Sequence, residues 1–341
     1  MNIKIVAKLA QVSTATVSRT MNGSAKVRPK TAERVRRAIE SLNFHPDTNA
    51  RALGSGRSNL YGLIISDITN PFFPELVKSF EDIAVRHQQE VLVSNTNYEP
   101  ERMKICVRRM LQRRVDGVAI MTSEMDDQLI EGFRRLRIPM VFLDSGQPAP
   151  GVSCVRINYS AGVDAAMQHL MDLGHRRIAF LSGPMSLASA RVRYQAFRES
   201  AERHHLEDSE NLIQEGNHKM DGGHEAMKRI LAARKRPTAV LASNDLTAIG
   251  ALGAIAEAGL RVPEEISVVG FDDIQISGFF TPSLTTVALA RTQIANAAFH
   301  SLFREELSRT APPMWGEEHV IQPTLVIRES TGSAPSRKRG R

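Results

Sequence analysis

The spacing of apolar positions changes near residue 60, and the change divides the chain into two kinds of structure. Before it the spacing is helical. Ile3, Val6, Ala7, Leu9 and Ala10 form one short stripe, and Val35, Ala38, Ile39 and Leu42 form another. Between them Ser13 is suited to N-cap a helix that begins Thr14-Ala15-Thr16, with Val17 able to join Val6 and Ala10 in a small core. A third helix is predicted over 31–42, opened by Thr31 and broken by His45-Pro46. After Leu60, short apolar runs alternate with amphipathic stretches. Strands are predicted at 61–65, 91–93, 117–120 and 139–143. A second, similar series begins after residue 158, with strands at 178–181, 239–242 and 266–270. Alternating strands and helices imply right-handed parallel βαβ units. The predicted fold is an all-α helix-turn-helix headpiece followed by an α/β core of two doubly wound parallel-sheet lobes with a cleft between them.

Charge sharpens the division. Residues 1–60 hold eleven Lys/Arg and three Asp/Glu, a net +8, while the whole chain carries +7. The tail Arg337, Lys338, Arg339 and Arg341 adds +4, so the middle is net −5. A basic amino-terminal module on an acidic body is the footprint of a phosphate-contacting domain. The second predicted helix adds specificity to that footprint. Thr14, Ala15 and Thr16 are small enough to let its N-terminal end approach a base-pair edge, and Arg19 can pair bidentately with guanine. Cys106 and Cys154 have no metal-ligand spacing and are expected as reduced thiols. No apolar run approaches a membrane span, and the first residues lack a signal-peptide core, so a cytoplasmic, nucleoid-associated location is expected. No phosphate loop, nucleophile elbow or zinc-protease motif occurs, and His204-His205 reads as a solvated turn. An enzyme is therefore not expected, and neither is a metal or cofactor.

The run Ala7-x-x-Ala10-x-Val12-Ser13-x-x-Thr16-Val17-Ser18-Arg19-x-x-Asn22-Gly23 resembles the signature of lactose-repressor/galactose-repressor family transcription factors, and family-like segments recur to about residue 332. The resemblance implies a homodimer that represses transcription, with DNA contacts from Thr14, Ala15, Thr16, Ser18, Arg19 and Asn22. It also implies a hinge helix carrying Ala50 and Leu53, with Leu53 wedged into the minor groove. Three positions depart from the family here. Ile5 replaces a capping-box Asp. Gln11 replaces a turn Gly and would be strained at positive φ. Gly54 stands where many relatives have Lys or Arg. The implied organisation is a headpiece at 1–45, a hinge and linker at 46–58, and a periplasmic-binding-protein-like core at 59–332. Lobe 1 is expected at about 59–157 and 288–318, lobe 2 at about 158–287 and 319–332, and a disordered basic tail at 333–341.

Ligands of open α/β sheets sit beyond the carboxyl ends of strands. Those ends carry Ser66-Asp67, Met121-Thr122, Asp144, Ser182-Gly183, Asn244-Asp245 and Asp272-Asp273, groups that suit a polyhydroxylated ligand but serve equally as helix caps. The resemblance implies effector contacts from Phe72 (or Phe73), Asp144, Ser189, Arg193, His218, Asn244 and Asp272, with Arg193 and Asp272 clamping adjacent hydroxyls. His218 stands where relatives often place a stacking aromatic. Leu289 and Met121 replace polar residues of relatives. Arg193 is expected on the cleft edge, outside the apolar core. The expected function is an effector-controlled DNA-binding repressor whose ligand is a sugar or sugar derivative. The alternatives are a purine- or phosphoprotein-controlled regulator of the same fold, and a transport-type sugar-binding protein, which would have no use for a basic headpiece.

Overall fold

A computed structural model describes residues 3–21, 26–44, 57–122, 127–206, 209–303 and 315–335. Two compact units divide at Ser58/Asn59. The first contains helices α1 (Ile3–Leu9), α2 (Thr14–Met21) and α3 (Pro29–Ser41). Val6, Ala10, Val17 and Val35 are fully buried and form its core with Ala7, Ala38 and Phe44. The third helix starts earlier than expected. Pro29 occupies its first turn, where a missing N–H costs nothing, so Thr31 is not the start. Asn22, Ala50 and Leu53, and nearly all of the hinge expected at 46–58, lie outside the described residues.

The second unit holds two six-stranded sheets. Its strands are β1 (Leu60–Ile65), β2 (Glu90–Asn95), β3 (Gly117–Met121), β4 (Met140–Leu143), β5 (Val152–Ile157), β6 (Ile178–Ser182), β7 (Ile213–Glu215), β8 (Ala239–Ala242), β9 (Ser267–Asp272), β10 (Thr285–Ala288), β11 (Glu318–Ile321) and β12 (Thr324–Val326). Its helices are α4 (Phe72–Arg86), α5 (Pro100–Arg113), α6 (Asp127–Arg135), α7 (Tyr159–Asp172), α8 (Ala188–Arg203), α9 (Met220–Leu231), α10 (Asp245–Glu257) and α11 (Arg291–Leu302). Sheet order is β11-β5-β4-β3-β1-β2 in one lobe and β12-β10-β9-β8-β6-β7 in the other. Every pairing is parallel except β10 with β12. Helices cover both faces of the first sheet. Leu63 and Ile65 of β1 face the core shared with α4 and α11, while Ile64 faces that shared with α5. Strands buried on both faces read as continuous apolar runs, which is why these were visible in the sequence.

The chain crosses between lobes after β5, after β10 and after β11. The last crossing corrects the expected boundary at 318. Backbone pairing of β11 with β5 places residues to Ile321 in the first lobe. Contrary to expectation, residues 333–335 do not belong to a disordered tail. Ala334 N–H donates to Leu173 O at 2.8 Å, which ties residues 333–335 to the second lobe; 336–341 lie outside the described residues.

Candidate nucleic-acid interface and ligand cleft

In the first unit Ser13 caps α2 as expected, its Oγ accepting from Thr16 N–H at 3.2 Å. The cap and the buried Val17 fix which face of α2 is free. Thr14, Ala15 and Arg19 are exposed, Thr16 and Ser18 half-buried. Thr16 also meets Ser13 through its hydroxyl, at 3.0 Å, and its carbonyl accepts from Thr20. Its polar atoms are thus partly committed to the helix. Gln11 sits at φ 51, the left-handed conformation that favours glycine, so the turn carries the strain expected of this departure.

In the second unit the carboxyl ends of β1, β3, β4, β8 and β9 open on one cavity of about 600 Å³ counted out to solvent. Phe72, Asp144, Ser189, Arg193, His218, Asn244 and Asp272 all line it, as do Met121 and Leu289. Four of the strand-end polar groups do not. Asp67 Oδ1 accepts from Thr69, Ser182 donates to Gly183 O, Asp273 pairs with Arg328, and Asp245 accepts from Ile274 N–H, Ser277 and Thr286. These four serve the loops, the capping role open to them from the sequence.

Arg193 departs from the expected cleft-edge placement. It is 6% exposed and lies 4.8 Å from the Tyr159 ring centroid and 5.1 Å from that of Phe271. Its Nε donates to Ser189 O at 3.1 Å and its Nη1 to Ser243 O at 2.5 Å, with Asp272 Oδ1 at 3.9 Å. Burial of that kind is tolerated because the two rings offer cation–π faces and the carbonyls take the donors. Asp272 is the other half of the pair. Burial pushes its carboxyl up to about 8, against the pull of Arg193. At neutral pH it can then donate as well as accept. Asp144 is also raised by burial, but Ile157 N–H and the Tyr159 hydroxyl already engage its two oxygens at 2.8 and 2.6 Å. Its geometry orients Tyr159.

His218 is held neutral. Burial, helped by the charge of Arg193, lowers it to about 3. Its Nε2 is buried without a hydrogen-bond partner, and so is Thr122 Oγ1 on the first lobe. Both residues line the cavity, and unpaired buried polar atoms at a cavity wall are places where a ligand gains by bonding. Gly183 allows the His218 ring its position, since a Cβ there would overlap it. Asn244 is spent on structure: it caps α10 by accepting from Thr247 N–H and donates to His218 O at 3.0 Å.

Sequence reasoning missed Tyr159 and Leu187, which also line the cavity. Tyr159 is the first residue of α7, after the N-cap Asn158, and Leu187 precedes α8. Nothing in their local spacing marks them. A usable signal was the chain crossing itself, because Tyr159 follows β5 at the first passage between lobes. Among the described residues there is no metal-ligand cluster and no helix long and apolar enough to cross a membrane.

Comparison with known proteins agrees with both units. Residues 2–47 match the model of bacterial regulatory proteins of the lacI family, and residues 167–331 match a periplasmic binding protein-like domain. An HTH-type transcriptional repressor PurR from Mannheimia succiniciproducens is 35% identical over 331 residues, covering 96% of this chain and 98% of that protein. The solved Lac repressor dimer bound to operator and the anti-inducer ONPF superposes with a TM-score of 0.83 at 30% identity, covering 97% of this chain and 99% of the other. A complex of the transcriptional regulator CelR with cellobiose gives a TM-score of 0.69 at 29% identity, with the same coverage. With a helix-turn-helix unit, two parallel-sheet lobes and full-length similarity to such regulators, this chain belongs to the lacI family of bacterial regulatory proteins.

Proposed function

We propose that the chain is a transcriptional repressor that binds a pseudo-palindromic operator as a homodimer and responds to a small uncharged polar effector in the cleft. The relatives named as repressors and the Lac repressor dimer on its operator support the DNA half of this reading. The observation that carries the effector half is the cavity wall. It combines unpaired His218 Nε2 and Thr122 Oγ1 with the Arg193–Asp272 pair in one lining that mixes polar and apolar side chains. Among the described residues Arg193 is the one cation that lines the cavity, and its donors already meet Ser189 O and Ser243 O beside Asp272, so little positive charge is left for an anionic ligand. A sugar or sugar derivative fits that chemistry, and the CelR–cellobiose complex supports it. A second reading, a purine base, is favoured by the relatives named PurR and by the flat rings of Phe72 and Phe73 at the cavity. Either ligand shifts operator affinity only by its differential affinity for two lobe arrangements.

Calorimetry on the intact chain with a panel of neutral sugars and free nucleobases separates the two readings. Binding of neither class would defeat the effector proposal. For the DNA half, selection from random duplexes is expected to return a pseudo-palindrome. Arg19→Ala is expected to lose about 1–3 kcal/mol and to relax preference at one base pair per half-site. Uniform weakening on all sequences would move Arg19 from a base to the phosphate backbone.

A further inference from the structure

The loop that carries Asp272 is gripped from the opposite lobe. Glu75, on α4, accepts from Gln275 N–H through Oε1 at 3.0 Å and pairs through Oε2 with Arg291 Nε at 3.0 Å. Arg291 opens α11, which packs on α4, and its remaining two nitrogens donate to Asp272 O at 2.6 Å and Asp273 O at 2.8 Å. Its rigid planar fork addresses a carboxylate and two successive carbonyls through three separate nitrogens, where a lysine would offer one. The side chains are 19% and 26% exposed, so salt screens them less than an open surface pair. From the second lobe, Asp245 holds Ile274 N–H and Arg328 holds Asp273 Oδ1.

The loop needs that grip. Asp272 is at φ 111 and Asp273 at φ 55, conformations that L residues keep only when their surroundings over-determine them. We propose that Glu75 and Arg291 form an interlobe clasp that positions Asp272 against the cavity and holds the two lobes at their present separation. Three of its four contacts span the lobes and the fourth, between Glu75 and Arg291, ties the two side chains together, so a small opening breaks the three as one, which makes the clasp a two-position element. The proposal rests on Asp272 being an effector contact, but its test needs no effector.

The test uses the full-length chain without added ligand, spin-labelled at Gln112→Cys on the first lobe and Arg234→Cys on the second, both exposed positions; the native cysteines are buried. Pulsed electron–electron distance measurements are expected to show one main separation in the parent. Glu75→Ala and Arg291→Ala should each raise the open-to-closed ratio at least about five-fold. The double variant should add nothing beyond the stronger single, because the two act as one unit. Glu75→Gln, which keeps an acceptor for Gln275 N–H, should fall between. Unchanged distances in both single variants, with or without a lower melting temperature, reduce the cluster to ordinary packing and overturn the proposal. Additive effects in the double variant overturn it too. Operator binding by the parent is a separate measurement, so failure of the repressor reading would not be mistaken for failure of the clasp.

Discussion

The two lobes share one strand order and differ in what they bring to the cavity. Reading β6 to β10 and β12 for β1 to β5 and β11 maps one sheet onto the other, apart from the direction of the last strand. Yet the first lobe supplies the apolar side chains Phe72, Phe73, Met121 and Leu143, with Ser66, Asn70, Tyr98, Thr122 and Asp144 as polar points and, among the described residues, no cation. The second supplies Arg193, His218, Asn244 and Asp272. Topology therefore fixes where a strand-end residue goes, and residue type fixes what it does there. In the function proposed above, the second lobe, with Arg193, His218 and Asp272, is the anchoring lobe, and the first, with its two phenylalanines, is the covering one. Crossing helices and the Glu75–Arg291 contacts join the two.

Breaking the anchoring lobe should cost most. Arg193→Ala strands the buried Ser189 O and Ser243 O and empties the space between Tyr159 and Phe271, so a loss of about 3–5 kcal/mol of core stability is expected in urea unfolding. A loss below about 1 kcal/mol would mean that the second lobe's charged wall is solvated. Asp245→Ala follows. It strands three donors that the carboxylate now satisfies, and about 3 kcal/mol is expected, with the 272–277 loop exchanging amide hydrogens faster. An unchanged loop would show that its lobe-2 anchor lies elsewhere.

Asp272→Asn sharpens the comparison through pH. The folded-state carboxyl is raised to about 8 from 3.8, so the folded chain keeps a proton that the unfolded chain has released. The contribution is fully present below about pH 4 and is lost as pH rises towards 8. The stability difference between parent and variant should therefore tilt against the parent across that window, by at most about 1.4 kcal/mol per pH unit. A flat difference would place Asp272 in ordinary solvent. The smallest effect is expected in the covering lobe. Phe73→Leu keeps an apolar wall and should cost about 1 kcal/mol, weakening any ligand that stacks more than one that only hydrogen-bonds. A loss as large as that of Arg193→Ala would contradict the division of labour.

Much of this was legible locally. The Ser13 cap and the Val6–Ala10–Val17 core follow from a few neighbouring residues, because helix caps and short-range spacing act within one or two turns, whereas the strain at Gln11 was expected from the family resemblance. Continuous apolar runs disclosed the long central strands, whereas β11 and β12, short and half-exposed, gave no such run. The seven cavity residues came from family resemblance, and the sequence could not say which strand-end carboxylates would cap loops instead.

By itself the sequence determined the two-unit plan, the sheet-and-helix alternation and the exposed face of the second helix, since each is written in period, charge and capping chemistry. Tertiary structure alone decided that Arg193 is buried between Tyr159 and Phe271, that His218 stays neutral with a free nitrogen, and that Glu75 reaches residues two hundred positions away. Those outcomes depend on desolvation and on distances between segments remote in the chain, and neither quantity exists until the sheets have formed and the lobes have met.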